Sequence, residues 1–234
     1  MTAGGSDPLG VRERLQEVRA RMAAAAARAG RAPDELRLVA ISKYADAESL
    51  RAAYDAGQRE FGESYIQNAL PRLETLPGDV AWHLVGHLQS NKVNKAIGRF
   101  DLIHSLDGAD LARSLDEKSR QRDLVTPVLV EVNCSGDEGK RGVDPRDAVD
   151  FVVSLRPLGG ILVRGLMTLG PLGGDEAAVR ASFRRLREIF QELRARDLPE
   201  LPLEILSMGM SGDFEIAIEE GATLVRVGTA IFAA

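Results

Sequence analysis

Short apolar runs alternate along this chain with longer stretches in which apolar residues recur at helical spacing. The short runs are rich in β-branched residues and leucine, as buried strands are. Several of them are followed by Gly, Ser, Asp or Asn, which favour turns and helix starts. The pattern predicts eight strands, at residues 36–42, 60–63, 81–86, 102–105, 127–133, 162–168, 204–208 and 224–228.

Helical patterns separate these strands, and one more precedes the first strand. Residues 11–28 form this leading helix, because their apolar residues and alanines recur every three or four positions. Asp46, Ser90 and Asp144 are candidate N-caps of later helices. The later helical patterns lie at residues 46–56, 65–76, 91–97, 110–121, 144–155, 175–196 and 214–220.

Strands that alternate with helices pair in parallel, because each helix returns the chain to the same end of the sheet. Eight such units close a barrel, which usually takes about 200 to 250 residues. The chain has 234 residues and no linker-like stretch. We predict an α/β fold with one domain, a single (β/α)₈ TIM barrel with an extra N-terminal helix. It spans residues 10–234 and follows a flexible segment at residues 1–9.

Charge and composition exclude several classes of function. The net charge is −5 and the sequence pI is about 5.4, so neither nucleic acid nor an anionic membrane is an expected partner. No apolar run approaches the roughly 18 residues of a membrane span, and no signal-peptide core is present. We therefore expect a cytoplasmic protein. The single cysteine, Cys134, excludes an internal disulfide, and no local base activates it.

The loops after the last two strands are candidates for phosphate binding, as is common in these barrels. Residues 207–214 include Ser207, Gly209, Ser211 and Gly212, whose small side chains leave backbone N–H groups uncovered where a helix begins. After the eighth strand, Gly228 permits close approach of a ligand, and Thr229 offers a hydroxyl and an N–H. We predict that a phosphate lies between these two loops.

Two cations lie near the ends of predicted strands. Lys43 ends the first strand and either reaches solvent or serves as an amine that forms a Schiff base; its position alone favours solvent. Arg226 lies two residues before Gly228 and thus on the same face of its strand. It would lie beside a ligand in the barrel, or else pair with a carboxylate such as Glu204.

The three histidines belong to the third and fourth units. His83 and His87 have a spacing that zinc ligands can adopt on a helix, but Gly86 lies between them and no further ligand is near. A metal site is therefore not expected. His104 ends the fourth strand. For each histidine, a role in the barrel mouth and a purely structural, hydrogen-bonded position remain open.

Seven segments of the chain together carry a family resemblance. They are LVAISKY, EFGESYIQN, WHLVGHLQSNK, IHSLD, VLVEVNCSGDEGKRGV, GLMTLGP and LSMGMSGDFEIAIEEGATLVRVGTAIF. In this order, from residue 36 to residue 232, they resemble the pyridoxal phosphate homeostasis protein family. These are proteins that bind pyridoxal 5'-phosphate (PLP) and are related to the N-terminal barrel of alanine racemase. The resemblance implies PLP as the cofactor.

The resemblance also implies roles for single residues. Lys43 matches the lysine that forms the Schiff base with PLP, and Arg226 matches the arginine that faces the pyridine nitrogen. An arginine that donates to this nitrogen keeps it unprotonated and weakens the ring as an electron sink. Ser211, Gly228 and Thr229 match phosphate-binding positions, Met208 and Gly209 belong to the same loop, and His83, Met167 and Ser64 match positions near the ring.

Three departures from the family pattern affect the expected release rate of the cofactor rather than its identity. Ser64 replaces the usual Asn, which alters a hydrogen bond beside the ring or through water. Residues 44–46, Tyr-Ala-Asp, replace Thr, a polar residue and Pro. Residues 233–234, Ala-Ala, replace a tail that contains glycine.

Two alternatives to a PLP-handling protein remain open. A PLP-dependent amino-acid racemase of this kind would use a tyrosine from a separate β-domain, which we do not expect in a chain of 234 residues. A barrel that binds another phosphorylated metabolite would leave Lys43 unexplained. We expect a monomeric, non-enzymatic protein that takes part in intracellular PLP homeostasis or carriage and passes PLP to apoenzymes.

Overall fold

The computed structural model describes residues 8–43, 45–137 and 139–232, and in this part of the chain eight parallel strands close into a barrel. Strand β1 (Arg37–Ile41) pairs with β8 (Leu224–Val227), which closes the ring of strands. The predicted (β/α)₈ barrel is confirmed. The strands between them are β2 (Glu60–Glu63), β3 (Ala81–Leu84), β4 (Leu102–Leu106), β5 (Thr126–Glu131), β6 (Ile161–Met167) and β7 (Ile205–Ser207).

Helices precede and connect the strands and cover the outside of the barrel. All predicted helices are present, although six of them are shorter than predicted, three of these by three or more residues, and a short helix follows β8 that was not predicted. The helices are α1 (Pro8–Arg28), α2 (Ala47–Asp55), α3 (Ile66–Leu73), α4 (Val93–Ala96), α5 (Ala109–Arg120), α6 (Ala148–Ser154), α7 (Glu176–Ala195), α8 (Phe214–Glu219) and α9 (Thr229–Phe232).

The first helix begins earlier than its sequence pattern indicates. Pro8 and Leu9, which were predicted to belong to the flexible segment, are helical, since proline is well tolerated in a first helical turn. Residues 1–7 lie outside the described residues. Within the described residues, no helix is both long enough and apolar enough to span a lipid bilayer.

Of the three predicted N-caps, only Asp46 caps its helix. Its carboxylate accepts a hydrogen bond from the Ser49 N–H at 2.8 Å. Ser90 lies inside a 3₁₀ turn, Ser90–Lys92, that precedes α4. The Asp144 carboxylate instead binds the backbone N–H and the guanidinium of Arg146, and α6 starts only four residues after Asp144. At Asp144, a local side-chain partner therefore takes the place of the predicted cap.

The apolar core has two parts, because strand side chains alternate between the barrel interior and the helix layer. The larger part lies between strands and helices and contains fully buried aromatic residues such as Phe61, Phe183 and Phe214. The smaller part fills the barrel interior, so the barrel is packed rather than open. It contains Val39, Leu102, Leu129, Met167, Ile205 and Leu224.

Candidate functional site

The loop between β7 and α8 turns tightly at the barrel mouth. Gly209 has a φ of +94°, and a Cβ at this position would lie 2.6 Å from the Cβ of Ala217, so a larger residue does not fit. Asp213 braces the loop by accepting a hydrogen bond from the Met210 N–H at 2.5 Å. Met208 is fully buried in the core beneath the helices. The Met208 N–H donates to the Leu224 carbonyl at 3.2 Å, so Met208 supports the loop rather than offering a group to a ligand in the mouth.

Ser211 connects the two loops that were predicted to bind phosphate. Its Oγ accepts hydrogen bonds from the N–H groups of Gly228 and Ala230, each at 3.2 Å. Gly228 packs closely on β1, since a Cβ there would lie 3.1 Å from the Cβ of Ile41. Ser211 and Gly228 are half-buried, and Thr229 is exposed. A hydroxyl and two backbone N–H groups thus converge, which suits an oxyanion.

Lys43 lies next to these loops. It lies two residues beyond the end of β1 and is half-buried. Because β1 pairs with β8, with Ala40 opposite Val227, the ends of both strands lie side by side at the mouth. The amine of Lys43 and the donors around Gly228 are therefore carried by neighbouring strands. Tyr44, the next residue, and residues 233–234 lie outside the described residues.

A buried ion pair holds the backbone just before Lys43. The carboxylate of Glu63, which is fully buried, accepts hydrogen bonds from the Ser42 hydroxyl at 2.7 Å and from Arg72 Nη1 at 2.9 Å. The same nitrogen of Arg72 donates to the carbonyl of Ser42 at 2.5 Å. The other carboxylate oxygen, Oε2, has no hydrogen-bond partner among the described residues. Sequence reasoning missed both Glu63 and Arg72.

Ser64 lies at the end of β2 and is half-buried. Its backbone carbonyl packs against Gly86, because a Cβ on Gly86 would lie 2.0 Å from the Ser64 oxygen. A glycine is therefore needed for the ends of β2 and β3 to approach each other. The structure places Ser64 at the mouth, one residue beyond the buried Glu63.

Arg226 faces the barrel interior and is 4 % exposed. Its Nη1 donates to Ser207 Oγ at 2.5 Å, and its Nη2 donates to the carbonyl of Thr168 at 2.9 Å. The alternative of an ion pair with Glu204 is wrong, because Glu204 pairs with Arg164. Both hydrogen-bond acceptors of Arg226 are neutral, so its charge is not neutralised by a directly bonded carboxylate.

The electrostatics around Arg226 favour an anionic ligand. Burial lowers the pKa of Arg226 to about 10, and the more distant carboxylates of Asp213 and Glu131 act in the opposite direction. Burial, followed by the charge of Asp107, raises the pKa of Glu131 to about 7. Burial also raises the pKa of Asp213. Near neutral pH the guanidinium stays charged while Glu131 loses part of its charge, which leaves a buried positive centre.

Two histidines lie inside the barrel rather than at its mouth. His83 Nδ1 contacts His104 Nε2 at 2.9 Å, and His104 Nδ1 contacts Ser207 Oγ at 3.1 Å. His83, predicted beside the ring, is thus linked to Arg226 through two intervening side chains. Met167 belongs to the apolar layer of the interior and is 1 % exposed.

The third histidine and the cysteine have structural surroundings. His87 Nδ1 lies 3.3 Å from a carboxylate oxygen of Asp107 at the mouth. Burial raises the pKa of the Cys134 thiol to about 12, so it is not an activated nucleophile. Among the described residues, no group of three or more His, Cys, Asp or Glu side chains could hold a metal ion.

Comparisons with known proteins agree with this architecture. The family model of the alanine racemase N-terminal domain matches residues 14–234. The pyridoxal phosphate homeostasis protein of Aquifex aeolicus is 42% identical over 221 residues, which cover 94% of this chain and 96% of that protein. The protein of the same name from Pseudomonas aeruginosa is 40% identical over 230 residues, which cover 96% and 95% of the two chains.

Solved structures give the same result. PipY from Synechococcus elongatus, without PLP, has a TM-score of 0.86 and 39% identity, and the match covers 95% of this chain and all 100% of PipY. The structure of PipY with PLP bound has a TM-score of 0.81 and 38% identity over the same shares. An alanine racemase from Clostridium difficile has only 11% identity and a TM-score of 0.77, over 96% of this chain and 56% of the racemase, and shows the fold alone. The chain belongs to the pyridoxal phosphate homeostasis protein family, whose barrel is of the alanine racemase N-terminal type.

Proposed function

We propose that this chain binds PLP through a Schiff base to Lys43 and acts in the cytoplasm as a carrier in PLP homeostasis. One observation carries the proposal. Lys43 lies at the end of β1, and the donors of Ser211, Gly228 and Ala230 converge beside it at the ends of β7 and β8. An amine next to an oxyanion site is the pair of groups that a phosphorylated aldehyde requires. The relatives' names and the PLP-bound PipY support the choice of PLP.

The residues present fit this cofactor. A phosphate dianion would replace Ser211 Oγ as the acceptor of the Gly228 and Ala230 N–H groups and would accept a further hydrogen bond from the Ser211 hydroxyl, with Thr229 and the Met208–Gly209 turn beside it. Gly228 fits this place because a Cβ there would crowd Ile41 at 3.1 Å. Bound PLP would supply an aldehyde that condenses reversibly with primary amines, and Lys43 would supply the amine, with release of one water.

Arg226 supplies the chemistry at the ring. Its guanidinium stays protonated at neutral pH, because its pKa is lowered only to about 10. It would donate a hydrogen bond to the pyridine nitrogen and keep that nitrogen unprotonated, which disfavours carbanion chemistry. We place Ser64 and Met167 near the ring as well. His83 is connected to the ring site only through His104, Ser207 and Arg226. The site is therefore suited to holding PLP rather than to using it.

The tyrosines give a second reason to favour a carrier over a racemase. The hydroxyl of Tyr54 donates to Asp79 at 2.9 Å, and Arg59 stacks on its ring 3.9 Å from the centroid. Asp79 and Arg59 precede β3 and β2, so Tyr54 lies near the opposite end of the barrel from the mouth. Tyr65 follows Ser64 at the mouth and is 62 % exposed, so as a second base it would have to act from a solvent-facing position. Of the tyrosines in the described part of the chain, Tyr54 is therefore excluded as a second base opposite Lys43, and Tyr65 is disfavoured.

Borohydride trapping tests the covalent site. We expect protein incubated with PLP to gain a visible absorbance band, and reduction to fix the cofactor on the peptide that contains Lys43. Lys43→Ala should abolish both signals, whereas Lys95→Ala, at an exposed position, should leave them unchanged. Labelling of another lysine in the native protein would refute the assignment.

Two assays separate carrier from enzyme. A carrier loaded with PLP should activate a PLP-requiring apoenzyme, and the reduced, permanently linked form should not. Incubation with L-alanine or D-alanine should give no racemisation above the rate of free PLP. Sustained racemase turnover that is lost in Lys43→Ala would contradict the carrier function and support the alternative.

A further inference from the structure

A continuous chain of buried polar side chains crosses the barrel interior. It consists of Arg226, Ser207, His104 and His83, which come from four different strands and are each at most 4 % exposed. Successive members are 2.5, 3.1 and 2.9 Å apart. We call these four residues the interior chain. It occupies space that apolar side chains fill elsewhere in the barrel, so its hydrogen bonds must be satisfied within the chain.

Arg226 fixes the direction of these hydrogen bonds, because a guanidinium only donates. Ser207 Oγ accepts from Arg226, and its own proton therefore goes to another acceptor. Among the described residues, the acceptor in contact with it is His104 Nδ1. His104 then carries its proton on Nε2 and donates it to His83 Nδ1. His83 in turn carries its proton on Nε2.

The opposite direction of these hydrogen bonds would leave the Ser207 proton without an acceptor in the described part of the chain. If His104 donated from Nδ1, the Ser207 proton would have no acceptor among the described residues, in a site without solvent. His83 would then turn an unprotonated Nε2 towards Glu60, whose carboxylate oxygen lies 3.5 Å away. Two lone pairs would face each other there. With a proton on Nε2, His83 makes no hydrogen bond there among the described residues, but it faces the Glu60 carboxylate favourably at 3.5 Å. Arg37 holds that carboxylate in place with bonds of 2.9 and 3.0 Å.

Both histidines must be neutral for this arrangement, since each then has one donor and one acceptor. Burial lowers the pKa of His83 to about 3, and the positive charge of Arg37 acts in the same direction. Burial also lowers the pKa of His104 well below its usual value, and the charges of His83 and Arg226 add to this effect. The carboxylate nearest to the pair is Glu60, beyond His83.

We propose that Ser207, His104 and His83 are positioning residues for Arg226. These hydrogen bonds all run in one direction along the interior chain and hold one end of the guanidinium inside the barrel. The remaining N–H groups of Arg226 are then left to donate to the ring nitrogen of PLP. The identity of that ligand rests on the proposed function, but the direction of the interior chain does not.

The tautomers of the histidines test the proposal without any cofactor. The chain has three histidines, so ¹⁵N-histidine labelling gives few signals to assign. In the cofactor-free protein we expect His83 and His104 both to be neutral and to carry their proton on Nε2. In Ser207→Ala, His104 should no longer be held in the Nε2-protonated tautomer. In Ser207→Thr, which keeps the hydroxyl, His104 should remain in this tautomer. A proton on Nδ1 of His104 in the native protein, or a charged imidazolium, would overturn the proposal.

The release rate of PLP tests the consequence for the ligand. Loss of one hydrogen bond to a charged group corresponds to about a tenfold or larger change, so Ser207→Ala should release PLP about tenfold faster. Ser207→Thr should release it at close to the native rate. Ser182→Ala is the matched control, since Ser182 Oγ is buried without a partner among the described residues and lies on α7, away from the interior chain.

The two experiments distinguish the possible failures. If the tautomers are as expected but no PLP binds, the proposed function is wrong and the interior chain stands. If PLP binds while Ser207→Ala and Ser182→Ala release it at the same rate as the native protein, the positioning role is wrong and PLP binding stands.

Discussion

Removal of the Glu63 carboxylate should weaken the fold and displace Lys43 at the same time. In the native protein this carboxylate accepts hydrogen bonds from the Ser42 hydroxyl at 2.7 Å and from Arg72 at 2.9 Å. Glu63→Ala removes the ionic partner of Arg72 and the shorter bond of the Ser42 hydroxyl, which keeps only its 3.2 Å bond to the Gly62 carbonyl. The main-chain bonds of Ser42 and the bond from Arg72 to its carbonyl remain, but the carboxylate that holds Arg72 against this backbone, directly before Lys43, is lost.

The expected loss of stability follows from the burial of the pair. Removing one partner of a buried ion pair costs about 3–5 kcal/mol, because the other charge remains without a partner. Arg72 is 24% exposed and can recover some hydration, so we expect the lower end, about 3 kcal/mol. The isosteric Glu63→Gln keeps an oxygen acceptor and should cost less. Glu204→Ala removes an exposed pair with Arg164 and should cost less than about 1 kcal/mol.

Denaturant unfolding measures these free energies. Borohydride trapping, carried out without denaturant and at low temperature, measures the reactivity of Lys43. We expect Glu63→Ala to lower the rate at which PLP is incorporated, even where the protein is fully folded. Glu204→Ala should leave this rate unchanged. Equal stability of Glu63→Ala and Glu204→Ala, together with native incorporation rates in both, would refute the role of the buried pair.

Three further predictions concern a glycine, a carboxyl and a thiol. Gly209→Ala should lower the free energy of unfolding by about 2–4 kcal/mol, because of the φ of +94° and the contact with Ala217. Gly173→Ala, with a φ of +67° and no atom within 4 Å of the added Cβ, should lower it by about 1 kcal/mol. Denaturant unfolding measures both changes. The pKa of Glu131 is raised from 4.5 to about 7, so the folded state binds this proton more tightly. Relative to Glu131→Gln, the native protein should therefore lose up to about 3 kcal/mol of stability as pH rises from 4.5 to 7, and no more above 7; a flat difference would contradict this. Cys134, with a pKa of about 12, should react with a thiol reagent at pH 8 far more slowly than free cysteine.

The barrel could be predicted from sequence because both faces of its strands are buried. Such strands appear as continuous apolar runs, and their regular alternation with helices determines parallel pairing. The same rule placed Lys43 and the phosphate loops at one end of the barrel, since the ends of parallel strands lie together. The N-caps predicted at Ser90 and Asp144 were wrong because a cap depends on a single local hydrogen bond. At Asp144, the carboxylate accepts its hydrogen bonds from Arg146 instead.

The rest of the site depends on contacts between distant parts of the chain. Ala230 contributes a backbone N–H, which leaves no signal in its side chain. Glu63 and Arg72 meet only because α3 folds back on the end of β2. The partners of Arg226 come from β7 and from the segment after β6. Glu204, the carboxylate considered as its partner from the sequence, pairs with Arg164 instead. Periodicity predicts which side of a strand is buried but not which buried polar groups pair.

The most direct test of the account is a crystal structure of the protein grown with PLP. The account predicts continuous electron density between Lys43 Nζ and the cofactor, with the phosphate bound by Ser211, Gly228 and Ala230 and the ring nitrogen within hydrogen-bond distance of Arg226. A cofactor held without a bond to Lys43, or a phosphate bound elsewhere on the barrel, would contradict it.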